Sequence, residues 1–405
     1  MTACKFSMFV QALESRLCLT AFADVIDNPF LPMIPGTTYI YRGVDADGNS
    51  IRQRVVVTNE TKVIQGVTCT VVRDRVFLNG ELAEDTRDFF AQDKAGNVWY
   101  FGEETREFED GVVVSTEGSF EAGVDGASAG IIMQARPAVG DEFDEENAPG
   151  VAEDHGKVLS LAKGVKTPFA SFGECVQIEE TTPLEPEALE HKFYAAGFGL
   201  VRDQDIAGGG VIRLAEVQLA PQAFDDTIDN PYSPMLPGTV FTYRGVDTDG
   251  SSLKNRIVVT NDTIVIQGVT CTVVRDREYV DGELAEDTHD YFAQDKVGNV
   301  WYYGEDSREI EDGEVVSTDG SWQAGADGAK AGVIMKAYPS IGDAYRQEIA
   351  PGIAEDEARV VGPRSTIRTP FGTFGDCLKT EEFSALDPGD LENKFYAFGV
   401  GLVQA

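Results

Sequence analysis

The chain contains the same domain twice. Ala21 to Val201 aligns with Ala223 to Val403 at a constant offset of 202 residues, without a gap. Roughly 60 % of aligned positions are identical, which at this period marks a duplicated domain and not a short solenoid repeat. The best-kept stretch is Val67 to Glu103, VTCTVVRDRVFLNGELAEDTRDFFAQDKAGNVWYFGE; it returns at Val269 to Glu305 as VTCTVVRDREYVDGELAEDTHDYFAQDKVGNVWYYGE. A total of 405 residues suits two domains of about 150–200 residues each. The organisation expected is a leader over 1–21, a domain over 22–202, a linker over 221–225 and a second domain over 226–405. Between the copies lies a segment with no second counterpart, 203–220. Its Val211-Ile212-Arg213-Leu214-Ala215-Glu216-Val217 alternates like a strand and is expected to complete the first domain, because neighbouring elements usually pack together.

Within a copy, turn signals recur every eight to twelve residues, as in an all-β meander. They include Asp47-Gly48, Asn79-Gly80, Asp93 to Asn97 and Asp110-Gly111. Strands are expected over Thr37–Val44, Arg52–Thr58, Thr68–Leu78, Glu81–Gln92, Val98–Glu103 and Val112–Thr116. Further strands are expected near Asp141–Glu146, Ala152–Leu161, Cys175–Glu180 and Lys192–Ala195. Gly118 to Gly140 reads as a short helix or a long loop, and Leu184 to Glu190 as one helical turn. A meander of about ten strands must hide its edges by closing into a barrel or curving into a half-barrel. The rhythm resembles the incompletely closed barrels of exported bacterial carriers and the lipocalin-like barrels; a β-sandwich is the alternative. The fold class expected is therefore all-β, with two tandem antiparallel meander domains. The body shows no family motif.

The leader reads MTACKFSMFVQALESRLCLTA, and its apolar part is too short and interrupted for an ordinary signal peptide. Ala12-Leu13-Glu14-Ser15-Arg16-Leu17-Cys18-Leu19 resembles the LEPR-XLL leader of exported and surface proteins of planctomycete-type bacteria. Ser15 stands where that pattern has Pro, and Leu17-Cys18-Leu19 takes the XLL part. The resemblance covers about eight residues and implies placement outside a bacterial cell or on its surface. The 69 acids against 33 bases give a net charge of −36. Such a surface repels nucleic acid and anionic membranes and attracts cations. No run of eighteen apolar residues predicts membrane insertion.

Cys69, Cys175, Cys271 and Cys377 are related in pairs by the duplication. The pairings Cys69–Cys175 and Cys271–Cys377 keep each domain self-contained, and each would close a loop of about 100 residues, worth about 4–5 kcal/mol in the chain-entropy model. Buried free thiols are the other reading. The three histidines are not duplicated and no Cys-x-x-Cys occurs, which argues against a zinc site.

Asn79-Gly80, kept as Asp281-Gly282, marks a two-residue hairpin. Counting outward from that turn sets Leu78 opposite Glu81, Arg75 opposite Glu84 and Asp74 opposite Asp85. Asp74 with Asp85, and Asp276 with Asp287, then form an acidic pair. It can hold a hard cation such as calcium, share a proton as an acid/base dyad, or form a solvated rim. Asp45-x-Asp47-Gly48 begins like a calcium loop, but Val56 stands where the twelfth-position Glu is needed. Trp99 and Tyr100, with Trp301 and Tyr302, are core aromatics or a stacking platform for a ligand. No nucleophile elbow, phosphate loop or dinucleotide fingerprint is present. The function expected is a non-enzymatic binding module, secreted or on the cell surface. It would take a small apolar or sugar-like ligand, or calcium, and require no other cofactor. A carboxylate-dependent hydrolase or lyase using the Asp pairs, and a structural spacer of the cell envelope, are the alternatives.

Overall fold

Two-residue turns with left-handed backbone at Asn79-Gly80 and Asp281-Gly282 match the twist of the strands they join, and long antiparallel hairpins follow. The computed structural model describes residues 22–389 and 391–405; the leader-like segment lies outside them. Among the described residues the fold is all-β, with strands throughout and one short 3-10 turn, Pro221–Ala223, between the domains.

The first domain is a nearly closed barrel. Its main strands are β1 (Thr37–Val44), β2 (Ser50–Ile64), β3 (Val67–Leu78), β4 (Glu81–Gln92), β5 (Val98–Glu104) and β6 (Ser128–Met133). They continue with β7 (Glu142–Asp144), β8 (His155–Ser160), β9 (Cys175–Thr181), β10 (Glu190–Ala195), β11 (Gly199–Asp205) and β12 (Val211–Leu219). The hydrogen-bonded order runs β7-β8-β9-β10-β11-β12-β1-β2-β3-β4-β5-β6. β7 at one end returns beside β6 at the other, where a Cβ on Gly130 would meet the carbonyl oxygens of Asp144 and Glu145. β12, the segment without a counterpart, lies between β11 and β1.

The second domain repeats the plan with β13 (Val240–Val246), β14 (Ser252–Ile266), β15 (Val269–Val280), β16 (Glu283–Gln294), β17 (Val300–Asp306) and β18 (Lys330–Met335). β19 (Ala344–Arg346), β20 (Asp356–Arg368), β21 (Thr373–Ser384), β22 (Glu392–Ala397) and β23 (Gly401–Gln404) complete it. These strands form two sheets, β13 to β18 and β19 to β23, because no strand among the described residues pairs β13 with β23.

The domains meet through unlike faces. Ser171, in a short strand of the first, pairs with Ala344 of the second. The Gly173 N–H donates to Asp343 at 2.9 Å. Lys336 is ion-paired to Asp343 at 2.7 Å, with its ammonium over the Phe172 and Phe198 rings. The buried apolar side chains of the two barrels are continuous across this junction.

Several expectations change. Leu184 to Glu190 holds bends and a turn instead of helix. Gly118 to Gly140 holds strands Phe120–Glu121 and Ser128–Met133. Cys69, Cys175, Cys271 and Cys377 are free, buried thiols and form no disulfide. Cys69 packs in a small cluster with Ile64, Val71, Phe89 and Phe101, whereas Cys175 belongs to the main core. Burial pushes the Cys69, Cys175 and Cys271 thiols up to about 12.

Candidate functional site: the carboxyl-lined interior and its mouth

The central hairpin does not pair Asp74 with Asp85. Leu78 faces Glu81 and Phe77 faces Leu82, but Val76 faces Glu84, so Ala83 is an extra residue on β4. Beyond this bulge every partner shifts by one: Arg75 faces Asp85 and Asp74 faces Thr86. Ala285 does the same in the second copy, setting Asp276 opposite Thr288 and Arg277 opposite Asp287. Because strand side chains alternate, Asp74 shares the inner face with Val72, Thr86 and Asp88. Asp85 turns outward, where Arg73 holds it through Nε at 2.7 Å; Arg275 holds Asp287 likewise at 2.6 Å. That guanidinium keeps the Asp85 carboxyl below the usual carboxylate range. The two carboxylates do not converge, so the paired cation site and the acid/base dyad lose their geometry, and the hydrolase reading loses its residues. No group of three or more His, Cys, Asp or Glu poised to hold a metal ion occurs among the described residues.

The inner face carries its own acidic assembly. The Tyr100 hydroxyl lies 2.7 Å from Asp88 Oδ1 and 2.8 Å from Glu103 Oε2. One phenolic proton satisfies one of these contacts, so the other needs a proton held by a carboxyl. Burial, then the charges of Asp74 and Glu103, raises Asp88 well above the usual carboxylate range; burial raises Glu103 as well. Tyr302 repeats the arrangement at 2.6 Å from Asp290 and 2.9 Å from Glu305, with Glu305 raised to about 7 by burial. Asp74, bonded by Gln53 at 2.5 Å, is raised to about 7, and Asp276 to about 6, again chiefly by burial. Glu146 rises to about 9 and Glu348 to about 8 through burial and neighbouring acids. Opposite them, Lys192 pairs with Glu180 at 2.7 Å and Lys394 with Glu382 at 2.8 Å. Such an interior holds protons in place of full charge and offers hydroxyl and carboxyl groups as both donors and acceptors.

Of the aromatic candidates, Tyr100 and Tyr302 face this interior, stacked on Phe90 and Phe292 at 4.8 and 4.7 Å. Trp99 and Trp301 face the other way. Each indole N–H donates to a loop carboxylate, Asp93 at 2.9 Å and Asp295 at 2.8 Å. Trp301 also lines the domain junction beside Tyr39, Phe198 and Leu219.

A residue not singled out by sequence reasoning marks the mouth of the second barrel. Trp322, where the first copy has Phe120, packs edge-on against Tyr302 at 5.4 Å. Its indole N–H is buried without an acceptor. A cleft of about 350 Å³ opens here, lined by Trp322, Tyr291, Glu305, Asp306, Asp327 and Ile353 among others. In the first copy this end is strapped by Lys62, which bridges Glu104 at 2.8 Å and Glu121 at 2.9 Å and lies 4.1 Å above the Phe89 ring centre. Ile264, Asp306, Gln323 and Tyr291 replace those four residues, and the strap is gone. The signal available in sequence was the Phe-to-Trp difference at 120 and 322, coupled to loss of Lys62.

No protein-family model matches the chain, and no curated protein sequence matches it significantly. Among solved structures it is similar to a Bacteroides fragilis protein inferred to be exported, of YmcC-like fold. The TM-score is 0.31 at 15 % identity, covering 49 % of this chain and 99 % of that one. It is also similar to a Parabacteroides distasonis protein inferred to be a lipoprotein, with TM-score 0.28 and 14 % identity, covering 48 % of this chain and 100 % of the other. Likeness at this level assigns no function.

Proposed function

We propose that the chain is a non-enzymatic binding module of the bacterial cell exterior, taking a small hydroxyl-rich, sugar-like ligand at the mouth of the second barrel. The observation that carries this reading is Trp322, a buried indole with an unused N–H beside a 350 Å³ cleft. Aromatic rings offer faces to apolar sugar edges, and a few convergent polar groups fix orientation. Here those groups are Glu305, Asp306 and Asp327. Calcium enters the proposal as an ion bridging ligand hydroxyls to the rim carboxylates Asp306 and Asp327. Placement outside the cell rests on the leader resemblance and on the acidic surface. The alternative role as an envelope spacer predicts no ligand.

The test is titration of the full chain with a panel of neutral and acidic oligosaccharides, with calcium and with a chelator, followed by tryptophan fluorescence. Saturable binding is expected, weakened about tenfold or more by Trp322→Phe, the residue of the first copy, and unaffected by Trp99→Phe. Absence of binding across the panel, or binding indifferent to Trp322→Phe and Asp306→Asn together, overturns the proposal.

A further inference from the structure

The first copy carries its own occupant at the place where the second is open. The Lys62 ammonium donates to Glu104 at 2.8 Å, lies 2.9 Å from Glu121 and stands 4.1 Å above the centre of the Phe89 ring. An ammonium has three hydrogens, enough for both carboxylates, and the ring face attracts the same cation. The Lys62 side chain is 30 % exposed, so most of it lies against protein.

By the 202-residue offset, the three groups around that ammonium become Asp306, Gln323 and Tyr291. All three line the 350 Å³ cleft of the second copy. Each keeps the chemistry its place needs: a carboxylate, a side-chain carbonyl oxygen and an aromatic ring. What is not kept is the cation. Ile264 stands where Lys62 does and packs its side chain against the core. Arg308 reaches Asp306 Oδ2 at 2.7 Å, with the two side chains 48 % and 40 % exposed, which leaves Oδ1 to a ligand. A second observation points to a ligand at the same place. Trp322, 6 % exposed, lines the cleft with its indole N–H buried and without an acceptor.

We infer that the cleft of the second copy is a seat for a primary ammonium group, so that the sugar-like ligand is an amino sugar. Its ammonium sits among Asp306, Gln323 and Tyr291 as that of Lys62 sits among Glu104, Glu121 and Phe89. The inference rests on the reading of this cleft as the sugar site and narrows the ligand from sugars in general to aminated ones. Hydroxyls of the same ligand meet the remaining polar groups of the wall, Ser321 and Asp327. With one carboxylate where the first copy has two, the seat suits a cation that must also leave. The net charge of −36 draws such a ligand toward the protein.

Three probes test it: a glucosamine trimer with free amines, its fully N-acetylated counterpart, and n-butylammonium as a free copy of the Lys62 head group. Each is titrated into the full-length protein at about 0.15 M salt, where long-range attraction is screened, with a chelator present so that no calcium bridges. Calorimetry and tryptophan fluorescence follow binding. The free-amine trimer should bind saturably, at least about tenfold more tightly than the acetylated one, and n-butylammonium should displace it. Ile264→Lys, the residue of the first copy, should abolish binding by filling the seat. Asp306→Asn, a change at an exposed side chain, should weaken the free-amine trimer by at least about tenfold. Equal affinity of the two trimers overturns the ammonium inference and leaves the sugar reading standing. Binding of n-butylammonium with neither trimer supports the ammonium seat and overturns the sugar reading. Trimer binding indifferent to both Ile264→Lys and Asp306→Asn overturns the inference, because the cation would then be held by the general acidity of the surface. No saturable binding of any probe overturns both.

Discussion

The domain junction turns on one buried charge pair, and Asp343→Asn tests it. The Asp343 side chain is 1 % exposed and the Lys336 side chain 3 %. Asp343 Oδ2 accepts from Lys336 Nζ at 2.7 Å and from the Ser340 N–H at 2.8 Å, while Oδ1 accepts from the Gly173 N–H of the other domain at 2.9 Å. Asparagine keeps one acceptor. Whichever way its amide is turned, the NH₂ meets a donor, either Gly173 or the Lys336–Ser340 pair. The ammonium then stays buried against two aromatic rings, 4.7 Å from one centre and 5.5 Å from the other. Those rings return about 2 kcal/mol, but they do so already in the parent and offset nothing in the variant. Removing one partner of a buried pair costs about 3–5 kcal/mol, and that is the loss expected. Urea unfolding followed by tryptophan fluorescence reads it directly, since Trp301 lines the same junction. Lys336→Met in the Asp343→Asn background removes the stranded charge, so the double variant should recover at least about 1.5 kcal/mol relative to the sum of the single changes. A cost for Asp343→Asn below about 1 kcal/mol, or an additive cycle, refutes the reasoning.

The interior acids predict an inverted pH dependence. Asp74, raised to about 7, is neutral when folded and ionised when unfolded between about pH 4 and pH 7. The unfolded chain therefore binds fewer protons in that window, and stability falls as pH rises through it. At about 1.4 kcal/mol per unit, the roughly two units between pH 5 and the folded value make Asp74 alone worth on the order of 2–3 kcal/mol, so the melting temperature should rise on acidification from pH 7.5 to pH 5. Asp74→Asn should flatten the profile by raising the high-pH end; a profile that falls on acidification, or is unchanged by the substitution, contradicts the buried-acid account. Cys69, Cys175 and Cys271 should resist alkylation at pH 8 until denaturant is added, as mapped by peptide mass spectrometry; a disulfide between Cys69 and Cys175 in the native protein would contradict the packing described. Gly43→Val should cost more than about 2 kcal/mol by forcing β12 off β1, because a Cβ there would lie 1.8 Å from the Val211 carbonyl oxygen. Gly245→Val, with nothing within 4 Å, should stay within about 0.5 kcal/mol of the parent; equal costs would contradict that placement of β12.

Fold class was legible because it rests on periodicity. Glu81–Gln92 and Thr37–Val44 are strands over the spans that alternation and turn residues predict. Charge placement was not. A two-residue turn sets register only while the ladder stays regular, and nothing in Leu82-Ala83-Glu84 announces that Ala83 bulges. One unpaired residue moved Asp85 to the opposite face from Asp74 and dissolved the expected site. Of the acids that do converge, Asp88 and Glu103 face each other across the β4–β5 hairpin beyond a second register shift, and Glu146 joins them from a later part of the chain. The cysteines misled for a related reason: Cys69 and Cys175 match in copy number, but sequence spacing says nothing of which core each enters. Trp322 was missed because a lone aromatic difference between copies carries no periodic signal; its meaning depends on the loss of Lys62 far away in the chain.

The junction between the copies has a direction. A corner of the first, with Gly173 pressed against the Ile341 carbonyl, meets a different surface of the second. The matching corner of the second copy presents Phe371, 90 % exposed, and Gly375 with open space around it. The receiving surface on the first copy carries Asp141 and an uncovered Val139, 64 % exposed. A contact of unlike surfaces is heterologous: repeated, it yields a ring if its rotation closes and a filament if it does not. The tandem is thus polar in the sense that a screw is polar, with a socket at one end and a plug at the other. Copies added by the same operation would all point one way.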